Sequence, residues 1–202
     1  FIKIEIASSC YFFLNKKMDI DYLFCDIFKK QEPLNLEAIK QSQIKLLIAT
    51  TNLTTGDTEY FSNHDDIFEV LRASKAILFF YGKKVRLGED MYVDGGIVTS
   101  FEDSINKAKE LGATKILAID NINEGLGAVF YLRVYKLFHP RLTKVNLGSK
   151  FIPDDSTFLF KPSKKIPVTG AMDNDQQHLK ETIKIGYDDV INNKELERFL
   201  KV

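Results

Sequence analysis

Two short stretches are apolar at nearly every position, and the rest of the pattern is arranged around them. Residues 44–50 and 115–120 (Lys115 through Asp120) have the near-continuous apolar character of strands buried on both faces. Thr54-Thr55-Gly56-Asp57 reads as a hairpin-like turn after the first of them, leading into a short strand at 58–61. Asn63 or His64 then opens a helix whose apolar positions are Ile67, Val70, Leu71 and Ala73. The dense apolar run 76–81 follows. After it come short strands at 84–87 and 91–93, separated by the turn Gly88-Glu89-Asp90 and ending at Asp94-Gly95-Gly96. A helix from about 100 to 111 places Phe101, Ile105 and Ala108 on one face, with Gly112 as its C-cap. Buried strand, helix, buried strand is the pattern of a parallel α/β sheet.

The flanks are less regular. Residues 22–28 read as a short buried helix or turn stopped by Pro33, and Asn35 as the N-cap of a helix over 36–41. Residues 121–150 start irregular and turn helical from about 127 to 138, with His139-Pro140 ending the helix. A last strand is predicted over 152–160 and a loop over 161–175. Leu179, Ile183 and Tyr187, with Gly186 and Val190, mark a final helix. No internal repeat or low-complexity tract is present, and residues 1–202 are read as one domain.

Composition narrows the function classes. Apolar residues are 45% and charged residues 28% of the 202, with 28 basic and 28 acidic side chains and zero net charge. That balance argues against a nucleic-acid partner and against adhesion to membranes mainly by charge. No run approaches the roughly 18 apolar residues of a membrane-spanning helix. Cys10 and Cys25 are too few for a disulfide framework and are read as buried, inert thiols, so cytoplasmic residence is the expectation. The chain opens on Phe1 rather than Met, which is read as a missing N-terminal part.

Asp94-Gly95-Gly96 is, in isolation, a turn. Its neighbours change that. In order along the chain stand Ala49-Thr50-Thr51-Asn52 at the end of a strand, Thr55-Gly56, Tyr60-Phe61, Leu71-Arg72-Ala73-Ser74-Lys75-Ala76, Tyr92-Val93-Asp94-Gly95-Gly96-Ile97 and Ala118-Ile119-Asp120. Over about residues 20–192 this order resembles the second half of the patatin-like phospholipase domain, in its bacterial esterase branch. The helix over 179–191 is similar to the one that closes such domains. Where the family has a proline after its counterpart of residues 71–76, this chain has Ile77-Leu78.

The resemblance implies an α/β, three-layer patatin-like fold with a mainly parallel central sheet. It further implies a lipid acyl hydrolase that cleaves carboxylic esters with a Ser–Asp dyad and no histidine. Asp94 would be the proton acceptor, on a loop that Gly95 and Gly96 keep clear of side chains or bend through positive φ. Partial withdrawal from water would raise the affinity of Asp94 for a proton. The family's nucleophile sits in G-x-S-x-G, and this chain has no two glycines four residues apart. The serine and the oxyanion loop are therefore expected outside this chain, which alone would be inactive. Ser8-Ser9 has no flanking glycine. The implied partner is a lipid or small ester, with transient contact at a membrane surface, and no cofactor. A patatin-shaped binding or regulatory module without catalysis is the competing reading.

The remaining candidates carry less. His64, His139 and His178 lack metal-ligand spacing, and Gly125-Leu126-Gly127 lacks the third glycine of a dinucleotide turn. His64 with Asp65 and Asp66 reads as a solvated helix start. Arg72 and Ser74 are candidates to support the catalytic loop by hydrogen bonds. Lys161, Lys164 and Lys165 could meet anionic headgroups or lie in a solvated loop. Leu78, Phe79, Phe80 and Tyr81 could line an acyl pocket or pack in the core. Asn52-Leu53-Thr54 is a glycosylation sequon by accident of sequence.

Overall fold

In the computed structural model the first apolar run is the inner strand of an antiparallel sheet. The structure describes residues 19–77, 81–120, 133, 135–146, 151–168 and 173–201. They fall into two compact units, Phe1–Ser100 with Ala128–Leu147, and Phe101–Gly127 with Gly148–Val202.

In the first unit, α1 (Ile20–Tyr22), capped by the Asp19 side chain, continues as a π-helical segment (Leu23–Gln31) that buries Phe24. Asn35 caps α2 (Leu36–Gln41) by accepting the Ala38 N–H, as the sequence predicts. Strands β1 (Leu47–Asn52) and β2 (Thr58–Ser62) form a hairpin, α3 (Ile67–Ser74) crosses back, and β3 (Val85–Leu87) turns into β4 (Asp90–Asp94). The sheet order is β2-β1-β4-β3, and every neighbouring pair is antiparallel. The expected mainly parallel sheet is corrected here. The chain reverses through five residues, 53–57, between β1 and β2 and through two, 88–89, between β3 and β4, and so short a link can join only antiparallel neighbours; β4 then pairs antiparallel with β1 as well.

Two sequence boundaries also move. The strand begins at Leu47, and Ile44 is 81% exposed. Asn63 does not cap α3; Asp66 does, accepting the Glu69 N–H. Asn63 is instead buried between segments, accepting from the Leu46 N–H and donating to the Ile39 and Ile44 carbonyls. The core lies on both sides of the sheet's middle strands. Ile48, Ile67 and Val70 form one cluster, Ala73, Ala76, Val85 and Tyr92 join Ile20 and Phe24 in another, and Val93, Ile97 and Val98 pack with Tyr135 and Leu142.

In the second unit, α4 (Phe101–Glu110) buries Ile105 and is closed by Gly112 at φ +91°. Strand β5 (Ile116–Ile119) pairs in parallel with β6 (Thr157–Phe160), so parallel pairing occurs here and only Ala118 of β5 is buried. Leu117 and Ile119 are exposed, which corrects the doubly buried reading. Helix α5 (Gln176–Ile191) begins on Asp175, and α6 (Lys194–Lys201) follows without a clear forewarning in the pattern. The apolar stripe of α5 lies at the surface: Leu179, Ile183, Tyr187 and Val190 are exposed, while Ile185 is buried. Polar anchors on the other side set that orientation, with His178 bonded to Asp173 at 2.9 Å and the Ser163 N–H to Asp189 at 2.9 Å.

Gly56 takes φ +87°, and an added Cβ would lie 1.7 Å from the Arg141 carbonyl oxygen. Gly56→Ala must therefore both strain the turn and push residues 141–142 away. The expected cost is about 2 kcal/mol or more, read as a lower urea midpoint; an unchanged midpoint would show that the two segments are not in contact.

Candidate functional site

The ladder between β1 and β4 sets Thr50 opposite Asp94, Thr51 opposite Val93 and Asn52 opposite Tyr92. Asn52 explains why that register is firm. Its side chain is 2% exposed and bonds at both ends. Oδ1 accepts the Thr54 and Thr55 N–H groups at 2.8 and 3.2 Å, shaping the turn after β1. Nδ2 donates towards Tyr92 Oη, Glu59 Oε2 and Asp90 Oδ2 at 3.0–3.1 Å, tying together three strands' worth of polar groups. The Tyr92 hydroxyl donates to Glu59 at 2.8 Å. A side chain so enclosed leaves no room for a glycan, so the sequon is a structural motif.

Asp94 ends β4 and is fixed through its backbone. Its N–H donates to the Ala76 carbonyl at 3.2 Å, and its carbonyl accepts the Thr51 hydroxyl at 2.9 Å. The carboxylate then starts a single 3₁₀ turn, Gly95–Ile97, with Oδ1 accepting the Gly96 N–H at 2.7 Å. Gly95 is required sterically, because a Cβ there would lie 2.3 Å from the Ala49 carbonyl oxygen. At Gly96 an added Cβ would meet only the tip of the Asp94 side chain, 2.9 Å away, and would displace the carboxylate rather than the backbone. Neither is among the positive-φ glycines, so close approach, not left-handed backbone, is the reason for Gly95.

Electrostatics set the carboxylate apart. Burial raises the Asp94 pKa above the ordinary aspartate value, and the Gly96 N–H and the charge of Lys75 only partly offset it. Among the described residues Asp94 has no ion-pair partner within salt-bridge distance. Asp21 shows the opposite case: hydrogen bonds from Lys83 and Tyr81 hold its pKa below the ordinary value. A rigid carboxylate with raised proton affinity at a strand end is suited to accept a proton from a group brought against it.

The other sequence candidates do not join Asp94. Arg72 pairs with Glu69 at 2.6 Å and reaches Asp21, and the Ser74 hydroxyl donates to the Leu71 carbonyl, so these bonds go elsewhere than the Asp94 loop. Tyr81 is buried in the core against Asp21, while Leu78, Phe79 and Phe80 lie outside the described residues. His64 is exposed in the turn before α3. His139 follows a helical turn and stacks on Tyr135 at 4.3 Å, its proton affinity lowered by burial. Cys25 is exposed, not buried, because it lies on the outer side of the π-helical segment. Cys10, Ser8, Ser9 and Gly125-Leu126-Gly127 lie outside the described residues.

In the second unit Lys161 pairs with Asp120 at 3.0 Å, and Lys164 and Lys165 are exposed. An open groove of about 610 Å³, lined by Phe160, Lys161, Lys164, Ile185 and Asp189 among others, mixes both charge signs; it includes two of the three candidate lysines and none of Asp94, Gly95 and Gly96. Among the described residues no group of three or more His, Cys, Asp or Glu is placed to hold a metal, and no helix is long and apolar enough to cross a membrane. What the sequence reading missed is the support of the loop: Thr51 beneath Asp94, and Thr99, whose hydroxyl meets that of Thr58 at 2.8 Å. Thr51 lies within the quoted motif, and Thr99 gives no signal of its own. Compared with protein-family models, with curated proteins and with solved structures, the chain finds no match.

The raised pKa has a thermodynamic consequence. The folded chain holds the Asp94 proton more tightly than the unfolded chain, so this group's contribution to stability falls as pH rises from the unfolded carboxylate pKa of about 3.9 through the folded value. Asp94→Asn keeps the acceptor for Gly96 and removes the buried charge. Thermal denaturation should give a higher Tm for the variant at pH 7, with the difference shrinking in acid. A variant less stable than the parent at pH 7 would mean that the charge is held by favourable contacts instead.

Proposed function

We propose that the chain carries the proton-accepting half of a patatin-like lipid acyl hydrolase, which cleaves carboxylic esters through a Ser–Asp dyad. In this reading the serine elbow and the rest of a three-layer sheet come from polypeptide outside these 202 residues. One observation carries it: Asp94 is a partly buried carboxylate of raised proton affinity on a loop whose first glycine, Gly95, is pressed against the Ala49 carbonyl. The order of motifs around it supports the same assignment.

The chemistry follows from the position of the carboxylate. Asp94 takes the proton of the serine hydroxyl as its oxygen bonds to the acyl carbon, giving a tetrahedral oxyanion. Collapse of that intermediate breaks the ester C–O bond, and the proton passes from Asp94 to the departing alcohol. Water then attacks the acyl-enzyme, giving its proton to Asp94, and the serine leaves with that proton as the acid is released. Backbone N–H groups of the polypeptide that brings the serine would hold the oxyanion. Raised proton affinity helps Asp94 in the first step, since a carboxylate of ordinary pKa is a poor acceptor for a hydroxyl proton.

The test is hydrolysis of a p-nitrophenyl butyrate ester and of a phospholipid by the full-length gene product. Asp94→Asn and Asp94→Ala should lower kcat by about 10²–10⁴-fold, and a fluorophosphonate probe should label a serine outside residues 1–202. Unchanged kcat in both variants would overturn the assignment. Lipid binding by a product with no labelled serine would favour the non-catalytic module.

A further inference from the structure

The loop that bears Asp94 is closed by a segment distant in sequence, residues 141–146, which spans two points of the first unit. At one end Thr143 is fastened to the turn after β1, its N–H donating to the Gly56 carbonyl at 3.1 Å and its hydroxyl to Asp57 Oδ1 at 2.7 Å. At the other end lies Asn146. Its N–H donates to the Ile97 carbonyl at 2.8 Å, and Nδ2 donates to the Gly96 and Thr99 carbonyls at 3.2 and 3.0 Å. Leu142, which is buried just before Thr143, and Val145, just before Asn146, pack with Val93, Ile97 and Val98.

These bonds go where the turn needs them. A single 3₁₀ turn leaves its last carbonyls without internal partners. Within the loop the Gly95 carbonyl takes the N–H groups of both Val98 and Thr99. The carbonyls of Gly96, Ile97 and Thr99 are all met by Asn146. The amide side chain is fitted to this, because it offers two N–H donors to two acceptors from one nitrogen. Gly95 and Gly96 have no side chains with which to hold themselves, so their geometry depends on what grips the backbone.

We infer that Asn146 is a positioning residue for Asp94, acting through the backbone of residues 96–99 and not by touching the carboxylate. This deepens the reading in which Asp94 is the proton acceptor and rests on it. Loss of the clamp frees the turn, and with it the direction of the carboxylate set by the Gly96 N–H.

The test has two arms. In the 202-residue chain, amide hydrogen exchange at Gly96, Val98 and Thr99 is measured by NMR for Asn146→Ala and Asn146→Asp. Exchange should rise about ten-fold or more at these amides while the Ile48, Val70 and Val93 amides keep their protection. In the full-length gene product the same variants should lose about 10–100-fold in kcat with KM little changed, since a small misplacement of a reacting group is costly. Thr143→Val, which loosens the far end of the segment, should shift both readouts the same way by less, and serves if Asn146→Asp does not fold. Parental exchange at the three amides, a rise shared by the whole first unit, or a raised KM with parental kcat would each overturn the inference. The exchange arm needs no catalysis. Activity surviving in Asp94→Asn would therefore count against the acyl-hydrolase reading, while exchange alone decides whether Asn146 clamps the loop.

Discussion

The antiparallel pairing of β1 with β4 is the constraint on which the candidate site depends. It spans only three residue pairs, yet it puts Asp94 at the end of the ladder and the Gly95 backbone against the carbonyl of Ala49. The few backbone hydrogen bonds of so short an antiparallel ladder would give little register strength by themselves, at about 1 kcal/mol net each. The register is fixed by what is buried around them. Asn52, enclosed by Tyr92, Glu59 and Asp90, would lose several bonds together if β4 slipped by one residue. Each buried polar group left without a partner costs about 1–3 kcal/mol. A slip would also turn Val93, fully buried, to the opposite side of the sheet.

Polar and apolar effects divide the work. Val93, Ile97 and Val98 fill the core beneath the loop, each contributing about 1.5–3 kcal/mol by burial, and so hold the turn against the sheet. They cannot orient it, because burial is non-directional. Orientation comes from Thr51 and Asn146, which bond the Asp94 and Gly96 carbonyls, and from the Gly96 N–H, which bonds Asp94 Oδ1. Asp94 is the exception among these satisfied groups: burial disfavours its charge, and the Gly96 N–H and the charge of Lys75 offset this only in part. Residues kept at such a disadvantage are candidates for chemistry, since proton transfer requires a group whose charge is not already stabilised.

Much of this was legible from the sequence, for identifiable reasons. The N-cap at Asn35, the turn at Gly56, the strands that flank Asp94-Gly95-Gly96 and the C-cap at Gly112 are local features, and local chemistry forecasts them. Strand direction was not legible. Apolar runs at 44–50 and 115–120 look alike, but the first sits between antiparallel neighbours while the second pairs in parallel with β6, and only the spacing of turns separates the two cases. The buried side of α5 was not legible either, because bonds of the Asp173 carboxylate to His178 and of the Asp189 carboxylate to the Ser163 N–H accompany it, and no period reports them. The purpose of Asn146 was invisible for a similar reason, as it reaches Gly96 across 50 residues of sequence. Of the two reasons the sequence offers for the glycines, the missing Cβ applies at Gly95, and positive φ applies to neither.

The account rests on a carboxylate that binds its proton more tightly than an ordinary aspartate. A carbon-detected NMR titration of the Asp94 side-chain carboxyl in the 202-residue chain measures that directly. A midpoint above the ordinary aspartate value of about 3.9 is the result expected, with the Gly96 amide shifting in step through its bond to Oδ1. A midpoint at or below that value would contradict it, and would leave Asp94-Gly95-Gly96 as a well-packed turn.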